Sequence, residues 1–494
     1  MKVQFPVACV ALAAALAGCR TTKDVLNDYE RDISSGQYDH ASVEVGQLAD
    51  KGGGDELVWQ LHAASAKSLA ADQPGAIARF DKAEDVFIRN DQQSVFAQGT
   101  DNALAMMTND KTFPYGGGGQ DRVFTCLYKA VDYGVQGNKD AMRTELNRAA
   151  QHQENWLYER RRDIEAAAER LKTDAENYRK QNAQSAQNVQ NGQAAQSAEE
   201  TSSAVEKAMA DDGLSAQIKA NCGFDPATDG RLESLSTKDY MNVYVQCVCG
   251  VFRWLSGDDD GKYFLRDASA LKPENAMLRA DLAAANAGGR PKDSVWVFVE
   301  DGLCPTREEW RIDLPLILIP GLNRYVMYAG MAFPKLRERN SAVTAYSVSA
   351  AGADLPMAEL ESVDRLMKTE FDVYMRGALV REITRAIVKA GVQIALGVVA
   401  ENVNDNYTKI ALRASQLAAA AWAASVTGAD VRSWTSLPKG VYACRVARPA
   451  DGVLTVNCGL EKVQVNVPSG NAMVFVRKTS SAAPSVAKVI SFPN

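Results

Sequence analysis

Two hydrophobic periods divide the chain. From residue 24 to 150, and again from about 243 to 273, apolar and small residues recur every three or four positions, the spacing of amphipathic helices. Within Leu57 to Asp85 the small residues Ala63, Ala64, Ala76 and Ala83 would let two helices approach closely, and Phe80 would fill the groove between them. From Asp293 the period changes to two. Val295-Trp296-Val297-Phe298-Val299 reads as a buried strand, followed by strand-like runs at Trp310–Ile319, Tyr325–Phe333 and Val343–Ser349. Leu360 to Ala400 and Thr408 to Val426 return to helical spacing. Strands resume at Val441–Val446, Val453–Asn457, Val463–Val467, Met473–Arg477 and Val486–Phe492.

The helical residues fit paired helices repeating at about 34 residues, the pattern of tetratricopeptide repeats. Gly36-Gln37-Tyr38 followed by Ala41 matches the second helix of an earlier unit. Asp121 to Ala150 supplies another pair, with Phe124, Leu127, Ala130 and Tyr133 on one face and Gly137-Asn138 as the turn. Val245, Val248, Cys249, Phe252, Leu265, Ala268 and Pro273 fit a further repeat. The expected fold class is α+β: TPR-like helical repeats, then a β-rich, sandwich-like C-terminal domain with a helical insertion. The expected segments are a signal peptide (1–18), helical repeats (19–150), a charged helix with a Gln/Ala-rich linker (151–210), a second helical segment (211–288) and the β-rich domain (289–494). The helical insertion in that domain covers 357–427. The linker rests on Gln181 to Ser203, which is almost all Gln, Ala, Asn, Ser and Glu.

Composition narrows the function. The 494 residues are 46% hydrophobic, enough for a sizeable core, and the net charge of −6 offers no general field for nucleic acid. The three histidines, His40, His62 and His152, all fall in the first third. The N-terminus supplies an address. Val7 to Gly18 is apolar but too short to span a bilayer, and it ends in Leu16-Ala17-Gly18-Cys19, a lipobox that predicts cleavage before Cys19 and acylation of its thiol. Arg20, rather than Asp, at the next position points to the outer membrane, facing the periplasm. Several acyl chains suffice for stable anchoring.

Export allows disulfides. With Cys9 removed and Cys19 acylated, Cys126, Cys222, Cys247, Cys249, Cys304, Cys444 and Cys458 remain. Cys444 and Cys458 flank an Arg448–Gly452 turn between two strand-like runs, which predicts a hairpin and a bridge across it. The pairing of the other five is left open, and Cys247-x-Cys249 is one residue short of a metal motif.

Four features invite chemistry. Gly116–Gly119 lacks the Lys and Ser or Thr of a phosphate loop and reads as an interhelix loop. Glu300-Asp301 and Glu308-Glu309 bracket Gly302 to Pro305 and could serve general acid–base catalysis if they converged. Cys304 as a nucleophile has no histidine in its domain to activate it. Arg381, Arg385 and Lys389 recur every four residues, with Arg376 one turn before. They form either a docking stripe for an acidic partner or a ladder paired with acids inside the protein, the expected outcome.

The lipobox at Cys19, Gly36-Gln37-Tyr38, Asn109-Asp110 with Tyr115, Asp121-Arg122 and the helix pair ending at Arg148 are one set of recognisable pieces. Val297 to Pro305 (VFVEDGLCP), Arg311 to Pro315 (RIDLP) and Asp430 to Pro438 (DVRSWTSLP) complete it. Together they resemble an uncharacterised family of Gram-negative envelope lipoproteins with tetratricopeptide-like helical repeats. That resemblance implies no enzymatic activity, and it implies a role beside lipoproteins that activate penicillin-binding proteins. The long Gln/Ala linker and the extra cysteines depart from the family pattern. The expectation is a lipid-anchored periplasmic scaffold with an envelope protein partner, membrane contact through Cys19, no nucleic acid, no cofactor and no metal. The alternatives are an envelope glycan or cell-wall hydrolase using carboxylates of the β-rich domain, or an accessory lipoprotein of an outer-membrane export system.

Overall fold

The computed structural model describes residues 22–96, 110–162, 207–208, 210–313, 326, 328–350 and 353–493. The expected signal segment, Cys19, the Gln/Ala-rich stretch and the end of the Trp310–Ile319 run lie outside them. Among the described residues thirteen helices, concentrated towards the N-terminus, precede or interrupt a β-rich C-terminal region, an α+β architecture.

The N-terminal helices are α1 (Thr22–Ser35), α2 (Tyr38–Lys51), α3 (Glu56–Leu69), α4 (Gln73–Phe96), α5 (Gly119–Val135) and α6 (139–162). After the linker come α7 (Asp212–Cys222), the short α8 (Thr237–Tyr240), α9 (Val243–Ser256), α10 (Gly261–Leu271) and α11 (Ala276–Asn286). Several start on side-chain caps that satisfy otherwise orphaned amides: Asp211 accepts from Leu214 N, and Asn242 from Val245 N. Ala63, Ala64, Ala76, Phe80 and Ala83 are all fully buried, as the repeat pattern requires.

The strands are β1 (Ser294–Asp301), β2 (Thr306–Asp313), β3 (Gly330–Arg337), β4 (Tyr346–Ala350), β5 (Ala353–Pro356) and β6 (Ala358–Ser362). Helices α12 (Val363–Asn402) and α13 (Asn406–Val426) form the insertion. The chain then adds β7 (Gly440–Ala447), β8 (Val453–Cys458), β9 (Glu461–Asn466), β10 (Asn471–Lys478) and β11 (Val486–Phe492). Three sheets result, ordered β11-β10-β1-β7-β6, β5-β4-β8-β9 and β2-β3. β1 and β10 are parallel; β1 and β7 are antiparallel.

The five-stranded sheet is buried on both faces, which is why β1 and β10 read as continuous apolar runs rather than alternating ones. On one face Val295, Val297, Val299, Val474 and Val476 pack against Val348, Leu454 and Val456 of the four-stranded sheet, closing a sandwich. On the other, Trp296, Phe298, Met473 and Phe475 share a core with Ala63, Phe80, Phe124, Val248 and Phe252 of the helices. Both helical blocks therefore lie on the same sheet. The first turn shows how tightly they are joined. Gly36 has φ +81°, and a Cβ there would meet Pro484 Cδ at 2.4 Å, so only glycine fits between α1 and the β10–β11 connection. A third core joins β2–β3 and α7 to α12 through Phe333, Phe371, Met375, Leu379 and Ile383.

The expected β7–β8 hairpin is not made. β7 pairs with β1 and β6, while β8 pairs with β4 and β9, so the Arg448–Gly452 turn carries the chain from one sheet to the other. Cys444 and Cys458 are therefore not cross-strand neighbours, and both are free thiols, which corrects the expected bridge. Cys126, Cys222, Cys247, Cys249 and Cys304 are buried free thiols as well.

Candidate functional site

The seam between helices and sheet holds a buried polar cluster. A cavity of about 50 Å³, room for a small number of waters, opens between α3, α5, β1, β10 and β11. Ser65, Ser68, Tyr128, Glu300, Arg477 and Lys488 line it. Glu300 accepts from Tyr244 OH at 3.0 Å and Tyr128 OH at 3.2 Å, with Arg477 Nε at 3.6 Å. Burial pushes its carboxyl up, against the pull of Arg477 and the two tyrosines. Asp132 takes a proton-rich pair of neighbours, Lys488 Nζ at 2.5 Å and Ser68 Oγ at 2.9 Å. Burial pushes Asp132 up too, although Lys488 opposes it.

Beside the cavity stands Trp434, fully buried, from the DVRSWTSLP run. Its indole Nε1 donates to Ser65 Oγ at 2.8 Å and Ser436 Oγ at 2.9 Å, and its ring meets Phe80 and Tyr128. Two residues earlier, Arg432 pairs with Asp430 at 2.8 Å and Asp55 at 3.0 Å and donates to the Asp110 carbonyl at 3.2 Å. This run clasps the helices to the sheet. His62 lies nearby, its ring 4.5 Å from that of Tyr29; burial and then Arg339 push it down to about 3, so it is neutral.

The four acids named for hydrolysis do not converge. Successive residues of a strand point to opposite faces. Glu300 therefore faces the helices, while Asp301 faces the sandwich and accepts from Tyr346 OH at 2.5 Å and Ala342 N at 2.9 Å. Glu308 pairs with Arg337 at 3.1 Å. Glu309 accepts from Arg311 at 2.7 Å and Ala429 N at 2.8 Å, and its pKa is lowered: burial works against Arg311, Ala429 and Lys111, and they prevail. Cys304 is buried, its thiol pushed up to about 11 by burial, and its Sγ contacts the Trp434 carbonyl at 3.5 Å.

The basic stripe lies inside the protein. Arg385 and Lys389 are buried, and Arg381 is largely so. Arg381 and Arg385 each reach Asp110 at 2.8 Å, from the two sides of its carboxylate. Arg385 also pairs with Glu382 at 2.5 Å, and Lys389 meets Thr427 Oγ1 at 3.4 Å. Burial alone would push Asp110 up, but the two guanidiniums outweigh it and hold it well below the usual carboxylate range. Burial takes Lys389 down to about 8. A docking stripe needs these groups at the surface, and they are not there. Arg376 donates to the Asp229 carbonyl at 3.2 Å.

Two buried centres have no counterpart in the sequence reading. Asp281 of α11 accepts from Trp296 Nε1 at 2.8 Å and pairs with Arg445 of β7 at 2.5 Å; burial lifts it to about 6 against both partners. Glu84, Cys126 and Glu145 bring ligand atoms within 4.8 Å of one another. The cations there are already the protein's own: Lys129 stands 3.0 Å from Glu84 and 2.9 Å from Glu145, and Arg148 stands 2.9 Å from Glu84. The only hint of either centre in the sequence was an acid or base on an otherwise apolar helix face.

Among the described residues no helix is long and apolar enough to cross a membrane. Comparison with protein-family models, with curated proteins and with solved structures gave no match, so the reading of these sites rests on the residues themselves.

Proposed function

We propose that this chain is a lipid-anchored periplasmic scaffold, held in the outer membrane by an acylated Cys19 and presenting its surface to an envelope protein. Complexes of peptidoglycan synthesis are the first class of partner to test. The observation that carries this reading is the assignment of the polar side chains. Glu300 and Asp301 on opposite faces of β1, and Glu308 and Glu309 on β2, each make a separate contact within the chain. The usual glycoside hydrolysis uses two such carboxylates on either side of one substrate bond. A scaffold needs what these contacts provide, a single stiff body in which helices and sandwich share a core.

The partner is to be sought away from the inner helical face, since Phe80, Phe124 and Phe252 already pack on the sheet. Crosslinking in intact envelopes, wild type beside Cys19→Ser, should give discrete protein adducts that require acylation. The purified chain incubated with sacculi should release no soluble fragments. Release of fragments, or wild-type crosslinks identical to those of Cys19→Ser, would overturn the proposal.

A further inference from the structure

The loop from α11 to β1 walls a second cavity, which the functional reading above does not use. It measures about 320 Å³ and lies between the ends of α9 and α11, the loop and β7, a size that holds a small ligand. Trp254, Ala284 and Pro291 give it an apolar floor. Arg290 and Arg445 bring two guanidiniums to it, and among the described residues no acid lines it. The walls are held in place. Trp254 Nε1 donates to the Gly289 carbonyl at 2.9 Å and Asn471 Nδ2 to the Pro291 carbonyl at 2.9 Å, so the loop is pinned on both sides of Arg290. Arg290 Nη2 donates to the Gly257 carbonyl at 2.9 Å, at the C-terminus of α9, where the helix dipole favours a cation. Gly257 has φ +93°, and a Cβ there would stand 2.4 Å from Arg290 Nη1, so the glycine clears the seat. Arg445 is held from beneath: it pairs with Asp281 at 2.5 Å, lies 5.6 Å from the centre of the Trp296 ring and keeps 29% of its side chain exposed. These contacts engage one nitrogen of each guanidinium. A guanidinium carries five N–H donors, so both keep donors for a ligand.

We infer that this cavity binds a small monocarboxylate, its carboxylate held by Arg290 and Arg445 and its apolar body lying on Trp254. The charge count selects the ligand. Two guanidiniums face the cavity, and Asp281, fully buried behind Arg445, returns one negative charge. Burial lifts Asp281 to about 6, so at neutral pH it is ionised and the site carries a net charge of one. A monoanion balances that charge, and a dianion exceeds it. The guanidinium fork matches the spacing of carboxylate oxygens and donates charge-assisted hydrogen bonds to them. The floor of Trp254, Ala284 and Pro291 offers nothing to a second polar group and suits a hydrocarbon body. The site does not depend on the scaffold reading: it uses neither the anchor at Cys19 nor any residue of the helix–sheet seam.

The test is titration calorimetry on the purified full-length chain at neutral pH and constant ionic strength, with benzoate as the probe. Benzoate should saturate one site per chain. Benzamide, its neutral counterpart, should bind at least about tenfold more weakly, since it loses the charge-assisted bonds. Inorganic phosphate should also bind more weakly than benzoate. Arg290→Gln should weaken benzoate about tenfold with a nearly unchanged melting temperature, because Arg290 is exposed and pairs only with a carbonyl. Asp281→Asn keeps an acceptor for Trp296 and removes the charge that offsets Arg445, so it should tighten benzoate, by roughly threefold. Arg31→Gln, at an exposed arginine on α1, should bind like wild type. Benzoate that does not saturate, or benzamide that binds as tightly, overturns the inference. So does phosphate binding tighter than benzoate, which would defeat the charge count. Wild-type affinity in Arg290→Gln, or no gain in Asp281→Asn, would place the carboxylate elsewhere and overturns it as well. A lowered melting temperature in Arg290→Gln with no benzoate binding by wild type would leave Arg290 as a cap for α9 alone, and the cavity would hold no ligand of this class.

Discussion

Asp110 and Asp281 are the same residue type in buried ion pairs with arginine, and they are displaced in opposite directions. Asp110 sits between two guanidiniums, Arg381 and Arg385, each at 2.8 Å, and keeps 15% of its side chain exposed. Asp281 has one guanidinium, Arg445 at 2.5 Å, an indole donor, and no exposure at all. Desolvation raises both carboxyls, and a single partner does not reverse it at Asp281, while two partners with residual water do at Asp110. The lesson is that a buried Asp–Arg contact fixes neither the sign of the shift nor the sign of the stability it contributes. The number of cations must be weighed against the water removed.

The largest effect that could break this comparison is loss of the doubly paired acid. Asp110→Ala leaves two largely buried guanidiniums facing each other, and should cost about 3–5 kcal/mol by denaturant unfolding. A cost under about 1 kcal/mol would mean that water replaces Asp110 freely, and the contrast with Asp281 would fall.

The pH dependence separates the two acids by sign. Asp281 is raised in the folded state, so its contribution is fully present below the unfolded value near 3.8 and is lost as pH rises through about 6. Asp110 is depressed, so its contribution is present above about 3.8 and is lost as pH falls through its folded value. Asp281→Asn should therefore gain on wild type between pH 4 and 7, by up to roughly 2 kcal/mol at about 1.36 kcal/mol per unit. Thermal melts across that range check the sign; a variant that loses ground as pH rises contradicts it.

Smaller still is Glu300→Gln. The amide keeps the size, leaves its oxygen to accept from one tyrosine and turns its N–H towards the hydroxyl oxygen of the other, while removing a buried charge, so the change should stay within about 1 kcal/mol, and Glu300→Ala should cost more, about 2 kcal/mol, by leaving both hydroxyls unmet. Last, mild reductant should leave the melting temperature unchanged, because Cys444 and Cys458 are free. A drop on reduction would show a bridge formed outside this arrangement of sheets.

Much of this was legible in the residues and some was not, for identifiable reasons. Phe80 with its alanines announced close-packed helices, and the VWVFV run announced a buried strand. A run with no alternation does not say which face meets what, so the separation of Glu300 from Asp301 followed only from the layers. The turn at Asp451-Gly452 is good turn chemistry, but the same local geometry closes a hairpin or crosses between sheets, and the sandwich decided it. The line of Arg381, Arg385 and Lys389, short of acids in phase, implied partners from elsewhere in the chain. That the main one is Asp110, 271 residues earlier, is a fact of tertiary structure.

The contact of Gly36 with Pro484 bears on how the chain acquires its structure. Tyr38 OH lies 3.4 Å from Thr479 Oγ1, 441 residues onward, and Ser480 Oγ donates to the Ser34 carbonyl. Helices made first are thus completed by strands made last. Until residues 471–492 emerge, the sheet beneath Phe80, Phe124 and Phe252 lacks β10 and β11, and their apolar faces stay partly open. Contacts of such long sequence separation close slowly, because loop-closure entropy is lost before packing compensates it. A chain wired this way completes its core only after residues 471–492 have been delivered, and in the interval before that its apolar helix faces are open to aggregation.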